Sequence, residues 1–192
     1  MSSEPVLLID NPIERVQRLT LNRPDKRNAL DDELRQTLFE GLRRGDKDPD
    51  VSVILIRGAG PAFCAGYDLS KPSSDVERSS ATADGWWSRH VVANWFEMWD
   101  MATPVIGQVH GYCLAGGGEL IGACDIVFAA TDAKFGHPAG RALGVPPTLG
   151  MWPVKIGMLK TKELLFSGDT VEGGEAERIG MINRAIPSDE LD

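Results

Sequence analysis

Three short apolar runs, each of strand length, constrain the fold of this chain most strongly. They are Val51–Arg57, Val105–His110 and Asp125–Ala130. A mostly apolar run of this length, without strict alternation, is typical of a strand that is covered on both faces of its sheet. Helical patterns separate the runs, with Trp86–Met101 before the second and Glu119–Cys124 before the third. Strands that alternate with helices predict an α/β fold with a mainly parallel sheet.

The chain before the first run predicts a hairpin followed by a helix. Val6–Asp10 and Val16–Leu21 alternate in polarity on either side of an Asn-Pro turn, which is typical of two paired strands. Asp31 or Asp32 can cap a helix whose apolar residues recur at helical spacing. Those apolar residues are Leu34, Leu38, Phe39 and Leu42.

The rest of the chain predicts shorter elements and two loops. Residues 70–85 are rich in Ser, Asp and Ala, which favours a mobile surface segment, and Gly136–Gly150 is a loop rich in Pro and Gly. Two short helices, over about 161–167 and 172–179, precede a last strand, Ile182–Ile186.

Composition places the chain among ordinary globular domains and excludes several partners. Its 192 residues suit one domain spanning 1–192, with 42% hydrophobic and 25% charged residues. The 20 basic and 28 acidic residues give a net charge of −8, which disfavours binding to a nucleic-acid backbone. No apolar stretch is long enough to span a membrane, and the N-terminus lacks a secretion signal. We therefore expect a cytoplasmic protein with neither nucleic acid nor membrane as a partner.

The cysteines argue against a disulfide framework and against a zinc site. Cys64, Cys113 and Cys124 are odd in number, each lies in an apolar stretch, and none belongs to a CxxC pair. A reducing compartment and the absence of a bound metal are the simplest interpretation.

Two glycine-bearing turns, each directly after a predicted strand, are candidates for chemistry. They are Ala62–Leu69 and Ala115–Glu119. Small residues there let backbone N–H groups point into a cleft, and a following helix adds the positive end of its dipole. Two such turns facing one cleft would stabilise the oxyanion of a thioester enolate or of a tetrahedral intermediate. The alternative is that both are simply tight turns; a nucleotide-binding loop is disfavoured, because the glycine spacing fits neither standard fingerprint.

Glu119 follows the second turn at the start of an apolar helix. Burial there would favour a carboxylate that exchanges protons near neutral pH, whereas the helix end would favour its charged form. The alternative interpretation is a Glu that only complements the helix dipole.

Taken together, four sequence blocks resemble the crotonase superfamily, also called the enoyl-CoA hydratase/isomerase family. The blocks occur in the family's order over essentially the whole chain: LNRPDKRNAL at Leu21–Leu30, VILIRGAGPAFCAGYDL at Val53–Leu69, the block Pro104–Gly136, and the block Leu164–Pro187. The resemblance implies a crotonase-like (ClpP/crotonase) spiral of ββα units. It also implies a homotrimer or a dimer of trimers.

The resemblance assigns roles to several residues. The oxyanion would be held by the amides of Tyr67 and Gly116, and Glu119 matches the family's first catalytic glutamate. The coenzyme A part of the substrate would meet a second group of residues. For its phosphates the candidates are Lys26 and Arg27, for its adenine the backbone at Ala65 and Gly66, and for polar loop contacts Asp68. Lys26 and Arg27 have the alternative of being solvated loop charges.

One departure from the family pattern bears on the reaction. Hydratases of the family carry a second glutamate just after the FGxP motif, and Ala139 stands at that position. Hydration needs an activated water and a proton for Cα, which two carboxylates usually share. His137 and Arg141 are the nearby substitutes, and the alternative for His137 is a structural role.

Two tryptophans extend the list of substrate-binding candidates. Trp86 and Trp87 adjoin the 70–85 segment, which in the family borders the acyl group, so they would line a pocket for a bulky acyl chain. The alternative is that they are core or interface anchors, since Trp87, Val91, Trp95, Met98 and Trp99 fall on one helical stripe.

The sequence therefore predicts an enzyme of acyl-CoA thioesters, with enoyl-CoA hydratase as the favoured activity. Enoyl-CoA isomerisation and thioester hydrolysis are alternatives because of Ala139, and a non-catalytic acyl-CoA-binding protein is an alternative of another class. No metal or redox cofactor is implied, since CoA belongs to the substrate. Compared with the family pattern the chain stops early, so we expect the C-terminal helical part that closes the site to be missing, either as a fragment or as a natural truncation.

Overall fold

The computed structural model describes residues 4–70, 91–144, 147 and 150–191. Within these ranges nine strands are β1 (Leu7–Ile13), β2 (Val16–Leu21), β3 (Val53–Gly58), β4 (Val105–Val109), β5 (Tyr112–Leu114), β6 (Ile126–Ala130), β7 (Lys134–Gly136), β8 (Thr170–Glu172) and β9 (Arg184–Ile186). The α-helices of the same ranges are α1 (Asp32–Lys47), α2 (Ala93–Trp99), α3 (Gly116–Ala123), α4 (Pro138–Leu143), α5 (Trp152–Ser167) and α6 (Gly173–Arg178). Short 3-10 turns occupy Pro24–Lys26 and Ser188–Glu190.

A six-stranded sheet in the order β1-β2-β3-β4-β6-β9 forms the centre of the described fold. Only the β1–β2 pair is antiparallel, and the other four pairs are parallel. The predicted α/β fold with a mainly parallel sheet and an opening hairpin is therefore confirmed. The three apolar runs became the neighbouring strands β3, β4 and β6, in which buried residues mostly alternate with partly buried ones and none is exposed.

A second sheet, β5-β7-β8, was not predicted from the sequence. Its strands are three residues each, so they carry no visible periodicity. The strand β5 therefore lies between β4 and the second glycine-bearing turn, directly before α3 begins. Ala115 joins the two with φ at 47°, a conformation that is uncommon for a residue with a side chain.

The helices cover the sheet, and most differ from the predictions in their bounds. The prediction of a loop over Gly136–Gly150 was wrong in part, because Pro138 begins the helix α4 there and Gly144 ends it in the left-handed conformation. Asp31 caps α1 as predicted, its side chain accepting the N–H of Leu34 at 2.9 Å. The short helix predicted at 161–167 was wrong in its start, because α5 begins at Trp152 and continues through a break at Gly157. Of the predicted helical stripe, Val91, Trp95 and Met98 are buried, whereas Trp99 is exposed.

Candidate active site

The two glycine-bearing turns meet at one edge of the main sheet. Because β3 and β4 are parallel neighbours, the segments that follow them leave the sheet on the same side. Backbone hydrogen bonds then join the segments: the amide of Phe63 donates to His110 at 2.9 Å, and the amide of Cys64 donates to Tyr112 at 3.0 Å. The carbonyl of Cys64 accepts from Leu114 at 2.9 Å. Main-chain contacts thus fix the first turn against the segment that leads from β4 into the second turn.

Gly66 is one of the points where the two turns approach each other closely. Its φ is 102°, and a β-carbon built on it would lie 2.9 Å from the β-carbon of Ala115 and 3.2 Å from the amide nitrogen of Gly116. A side chain there would be strained and would collide, so this position requires glycine. The consequence is that the peptide leading into Tyr67 lies directly beside the first amide of α3.

The backbone N–H of Tyr67 points toward the start of α3. Leu30 donates to the carbonyl of Gly66 at 2.7 Å and accepts from the amide of Asp68 at 3.0 Å, so Tyr67 sits between two residues that face Leu30. Because the N–H groups of an extended segment alternate in direction, the amide of Tyr67 points the other way, toward β5 and the start of α3. The amide of Gly116 lies in the first turn of α3, where N–H groups have no partner within the helix.

Glu119 is buried beside these amides. It lies in the first turn of α3 and is 3% exposed. One of its carboxylate oxygens, Oε2, accepts a hydrogen bond from the hydroxyl of Tyr67 at 2.6 Å. Sequence reasoning identified Tyr67 for its amide alone and missed this side-chain contact, which joins residues 52 positions apart and leaves no local signal in the sequence.

An ion cluster that sequence reasoning also missed anchors the first turn. The Arg23 guanidinium contacts the Asp68 carboxylate at 2.9 Å and that of Asp31 at 3.3 Å, with all three side chains largely buried. Asp68 also accepts hydrogen bonds from the amide and hydroxyl of Ser70 at 2.9 and 2.6 Å. The Ser70 and Arg23 hydrogen bonds hold the pKa of Asp68 well below its usual range. These contacts give Asp68 a role in holding the loop.

Lys26 and Arg27 lie on the loop that flanks the first turn. Both are exposed, and the carbonyl of Arg27 accepts the amide of Ala65 at 2.9 Å. The Arg27 guanidinium lies over the ring of Tyr112, 6.0 Å from its centroid. The structure therefore places two cationic side chains at the surface next to Ala65 and Gly66.

His137, Ala139 and Arg141 lie at the start of α4, around the position of the family's second glutamate. His137 is 3% exposed and packs edge-on against the Trp152 ring, with centroids 6.3 Å apart. Arg141 is exposed, and its guanidinium donates to the carbonyl of Ser167 at the end of α5, 3.1 Å away. The Arg141 contact caps a helix terminus.

The candidate acyl-pocket residues Trp86 and Trp87 lie outside the described residues, as does most of the 70–85 segment. Trp95, which was expected in the core, is fully buried there. Its indole N–H also reaches the hydroxyl of Tyr67 at 3.4 Å, a contact that sequence reasoning did not identify.

The cysteines offer no reactive thiolate. All three are buried, and none is in a disulfide. Burial raises the pKa of Cys64 to about 12, with the nearby Glu119 carboxylate adding to the effect, and raises the pKa of Cys124 to about 12. Burial likewise raises the pKa of Cys113 well above its ordinary value. Thiols with such values are not nucleophiles at neutral pH.

The described residues hold neither a candidate metal site nor a membrane-spanning helix. Among the described residues, no three His, Cys, Asp or Glu side chains are grouped so as to hold a metal ion. Over the same ranges, none of the helices has the length and hydropathy needed to cross a bilayer.

Comparisons with known proteins show which family the chain belongs to. Residues 13–192 match the family model described as enoyl-CoA hydratase/isomerase. A probable enoyl-CoA hydratase of Mycobacterium bovis is 37% identical over 185 residues, covering 93% of this chain and 69% of that protein.

Solved structures of the same family superpose closely. The crystal structure of a probable enoyl-CoA hydratase from Mycobacterium thermoresistibile matches with a TM-score of 0.89 at 32% identity, covering 98% of this chain and 76% of that one. A monofunctional enoyl-CoA isomerase from Mycobacterium smegmatis matches with a TM-score of 0.79 at 30% identity, covering 97% and 79%. The crotonase-like fold is thereby confirmed, and the chain belongs to the enoyl-CoA hydratase/isomerase family of the crotonase superfamily.

Proposed function

We propose that this chain hydrates a 2-enoyl-CoA thioester, adding the hydroxyl of water to Cβ and a proton to Cα. The observation that carries the proposal is the buried carboxylate of Glu119 beside the adjoining amides of Tyr67 and Gly116. Those two amides are the proposed oxyanion hole. The family membership and the hydratases among the structural relatives support the same reaction.

The two amides would hold the thioester oxygen. As oxygen adds to Cβ, the electron pair of the double bond moves toward the carbonyl, and negative charge grows on the thioester oxygen. Two N–H donors and the positive end of the α3 dipole stabilise that charge. One such donor is worth about 100- to 1000-fold in rate.

Glu119 is the proposed acid/base. As a carboxylate it takes a proton from water while the water oxygen bonds to Cβ, and the resulting enolate then takes a proton at Cα. Ala139 has no proton-carrying side chain, so the Glu119 carboxyl is the group proposed to return that proton.

Ala139 also supports a second candidate, enoyl-CoA isomerisation. There a single carboxylate removes a proton from one carbon of the acyl chain and returns it to another, so no second carboxylate is needed. The structural similarity to an enoyl-CoA isomerase supports isomerisation as the second candidate. Thioester hydrolysis and binding without turnover are the remaining alternatives.

The proposed substrate contacts follow from the exposed charges beside the site. Lys26 and Arg27 are proposed to meet the CoA phosphates, and the Ala65–Gly66 backbone the adenine. Trp86 and Trp87 remain proposals for the acyl pocket. His137 and Arg141 are weaker candidates, because the structure gives Arg141 a helix-capping contact and packs His137 against Trp152.

The proposed setting is cytoplasmic fatty acid metabolism, with no metal or redox cofactor and with CoA entering as part of the substrate. Three thiols outside disulfides are typical of a reducing compartment. Amide donors and a carboxylate are the whole of the proposed apparatus, so we expect turnover to persist in the presence of a chelator.

We also propose that the chain assembles as a homotrimer or a dimer of trimers. The supporting observation is a set of exposed apolar side chains on α5: Val154, Met158, Leu159 and Phe166, of which Leu159 is 86% exposed. Patches of this kind mark association surfaces. Sedimentation equilibrium should give three or six times the chain mass, and a monomer at micromolar concentration would contradict the proposal.

The experiment that tests the proposed reaction follows product oxygen. The protein is incubated with crotonyl-CoA and with a 3-enoyl-CoA in water labelled with oxygen-18, with a chelator present. Hydration places one labelled oxygen in a 3-hydroxyacyl-CoA, whereas isomerisation moves the double bond without label. Hydrolysis releases free CoA thiol, and binding of both thioesters without turnover would rule out the enzymatic proposal.

A further inference from the structure

The side chain of Tyr67 contacts residues of both parts of the proposed site, Gly116 and Glu119. A β-carbon built on Gly116 would lie 3.0 to 3.2 Å from ring carbons of Tyr67, so the ring lies directly on the first residue of α3. From there its hydroxyl reaches Oε2 of Glu119 at 2.6 Å. One residue thus adjoins both parts of the site, the amides through its backbone and the carboxylate through its hydroxyl.

The direction of the hydroxyl proton follows from the two partners of the hydroxyl, the Glu119 carboxylate and the Trp95 indole. The indole N–H of Trp95 lies 3.4 Å from the Tyr67 oxygen and can only donate. The Glu119 carboxylate can only accept, so the Tyr67 oxygen accepts from Trp95 and donates its single proton to Glu119. The order of donation is Trp95 to Tyr67 to Glu119.

Trp95 itself is held in place by the core. It is fully buried, and its ring packs edge-on against Phe39 with centroids 5.3 Å apart. The indole has no room to turn away from Tyr67 without displacing Phe39 on α1. The core of the fold thereby fixes the orientation of the hydroxyl.

We propose that Tyr67 is a positioning residue whose hydroxyl holds the Glu119 carboxylate in the orientation and charge state that proton transfer requires. This inference rests on the proposed function, in which Glu119 is the acid/base. A carboxylate in the apolar first turn of α3 could rotate about its terminal bond, and a 2.6 Å bond from a fixed phenol restricts that rotation. The same bond stabilises the charged form, which is the form that accepts a proton.

A purely structural role for the hydroxyl makes a different prediction. If the hydroxyl only supplied a hydrogen bond to a buried carboxylate, removal of the hydroxyl would lower the free energy of unfolding and leave the kinetics of the folded enzyme unchanged. A positioning role instead lowers kcat, leaves KM nearly constant and alters the pH dependence. Cys64 also lies near Glu119. Because burial raises the pKa of its thiol to about 12, the thiol stays protonated at neutral pH and does not contribute to the pH dependence of kcat.

The test is the Tyr67→Phe variant, which keeps the ring and the amide and removes only the hydroxyl. We expect kcat for the wild-type reaction to fall about 10- to 100-fold, the range for losing a hydrogen bond to a charged group. The acidic limb of the kcat profile should move to higher pH, because the carboxylate loses a donor. Trp95→Phe removes the indole N–H that donates to the Tyr67 hydroxyl, so it should give a smaller fall in kcat and a smaller shift of the acidic limb to higher pH. If Tyr67→Phe does not fold, Trp95→Phe tests the positioning role in its place.

Tyr112→Phe is the matched control. Tyr112 is the chain's other tyrosine; it is 40% exposed, and its ring, which faces Arg27, is retained by the change. We expect wild-type kinetics from it. A Tyr67→Phe variant with kcat within twofold of wild type, with a loss confined to KM, or with a loss matched by Tyr112→Phe would overturn the positioning role and leave the proposed function standing. A wild type that turns over no thioester would overturn both.

Discussion

Replacing Gly117 by Ala should lower both stability and turnover, with kcat falling about 100-fold or more. A β-carbon at Gly117 would lie 2.6 Å from the carbonyl oxygen of Cys64 and 2.9 Å from its β-carbon. The Cys64 carbonyl is tied to Leu114 by a hydrogen bond and cannot turn aside. The start of α3 must therefore move away from the first turn, separating the Gly116 amide from that of Tyr67. Overpacking of this kind costs about 1–3 kcal/mol of unfolding free energy.

Gly118→Ala is the control for that prediction. It makes the same change one residue later in the same helix, where the added carbon would meet only ring atoms of Trp152 at 3.8 Å, an ordinary contact. Alanine also favours the helix over glycine by up to about 1 kcal/mol. Chemical denaturation and initial rates should show Gly118→Ala as stable as wild type or more so, with kcat within twofold. Equal behaviour of the two variants would contradict the close packing of the turns.

The main sheet could be predicted because its strands carry strong local signals. β3, β4 and β6 are apolar along most of their length, and each is separated from the next by a helical pattern. The second sheet could not be predicted, since strands of three residues show no period and β5 directly precedes a glycine-bearing turn. The sequence did not predict that α5 starts at Trp152, because the break at Gly157 interrupts the helical pattern.

The candidate site likewise has a part that the sequence predicts and a part that it does not. The backbone positions of Tyr67 and Gly116 follow strands, and Glu119 follows its glycines, so local pattern and family resemblance were enough to select them. The contacts of the Tyr67 hydroxyl with Glu119 and Trp95 span 52 and 28 residues, and they depend on how α2, α3 and the first turn pack. No property of the residues taken singly predicts such contacts.

Glu119→Gln is the second change with a large expected effect. The amide has the size of the carboxylate and can still accept from the Tyr67 hydroxyl, so the packing around it is retained. It cannot take a proton from water or carbon. Removing a positioned acid/base lowers rates by about 100- to 10,000-fold, and we expect about 1000-fold here. Glu163→Gln, an exposed glutamate on α5, should leave kcat unchanged.

That comparison also tests the central claim, that Glu119 performs the proton transfer on a thioester held beside it. The measurement is kcat with the substrate that wild type turns over, alongside the Kd of a saturated acyl-CoA, for wild type and Glu119→Gln. The claim predicts a fall in kcat of about 1000-fold with Kd changed less than about threefold. A folded Glu119→Gln variant that retains more than about a tenth of wild-type kcat would contradict it.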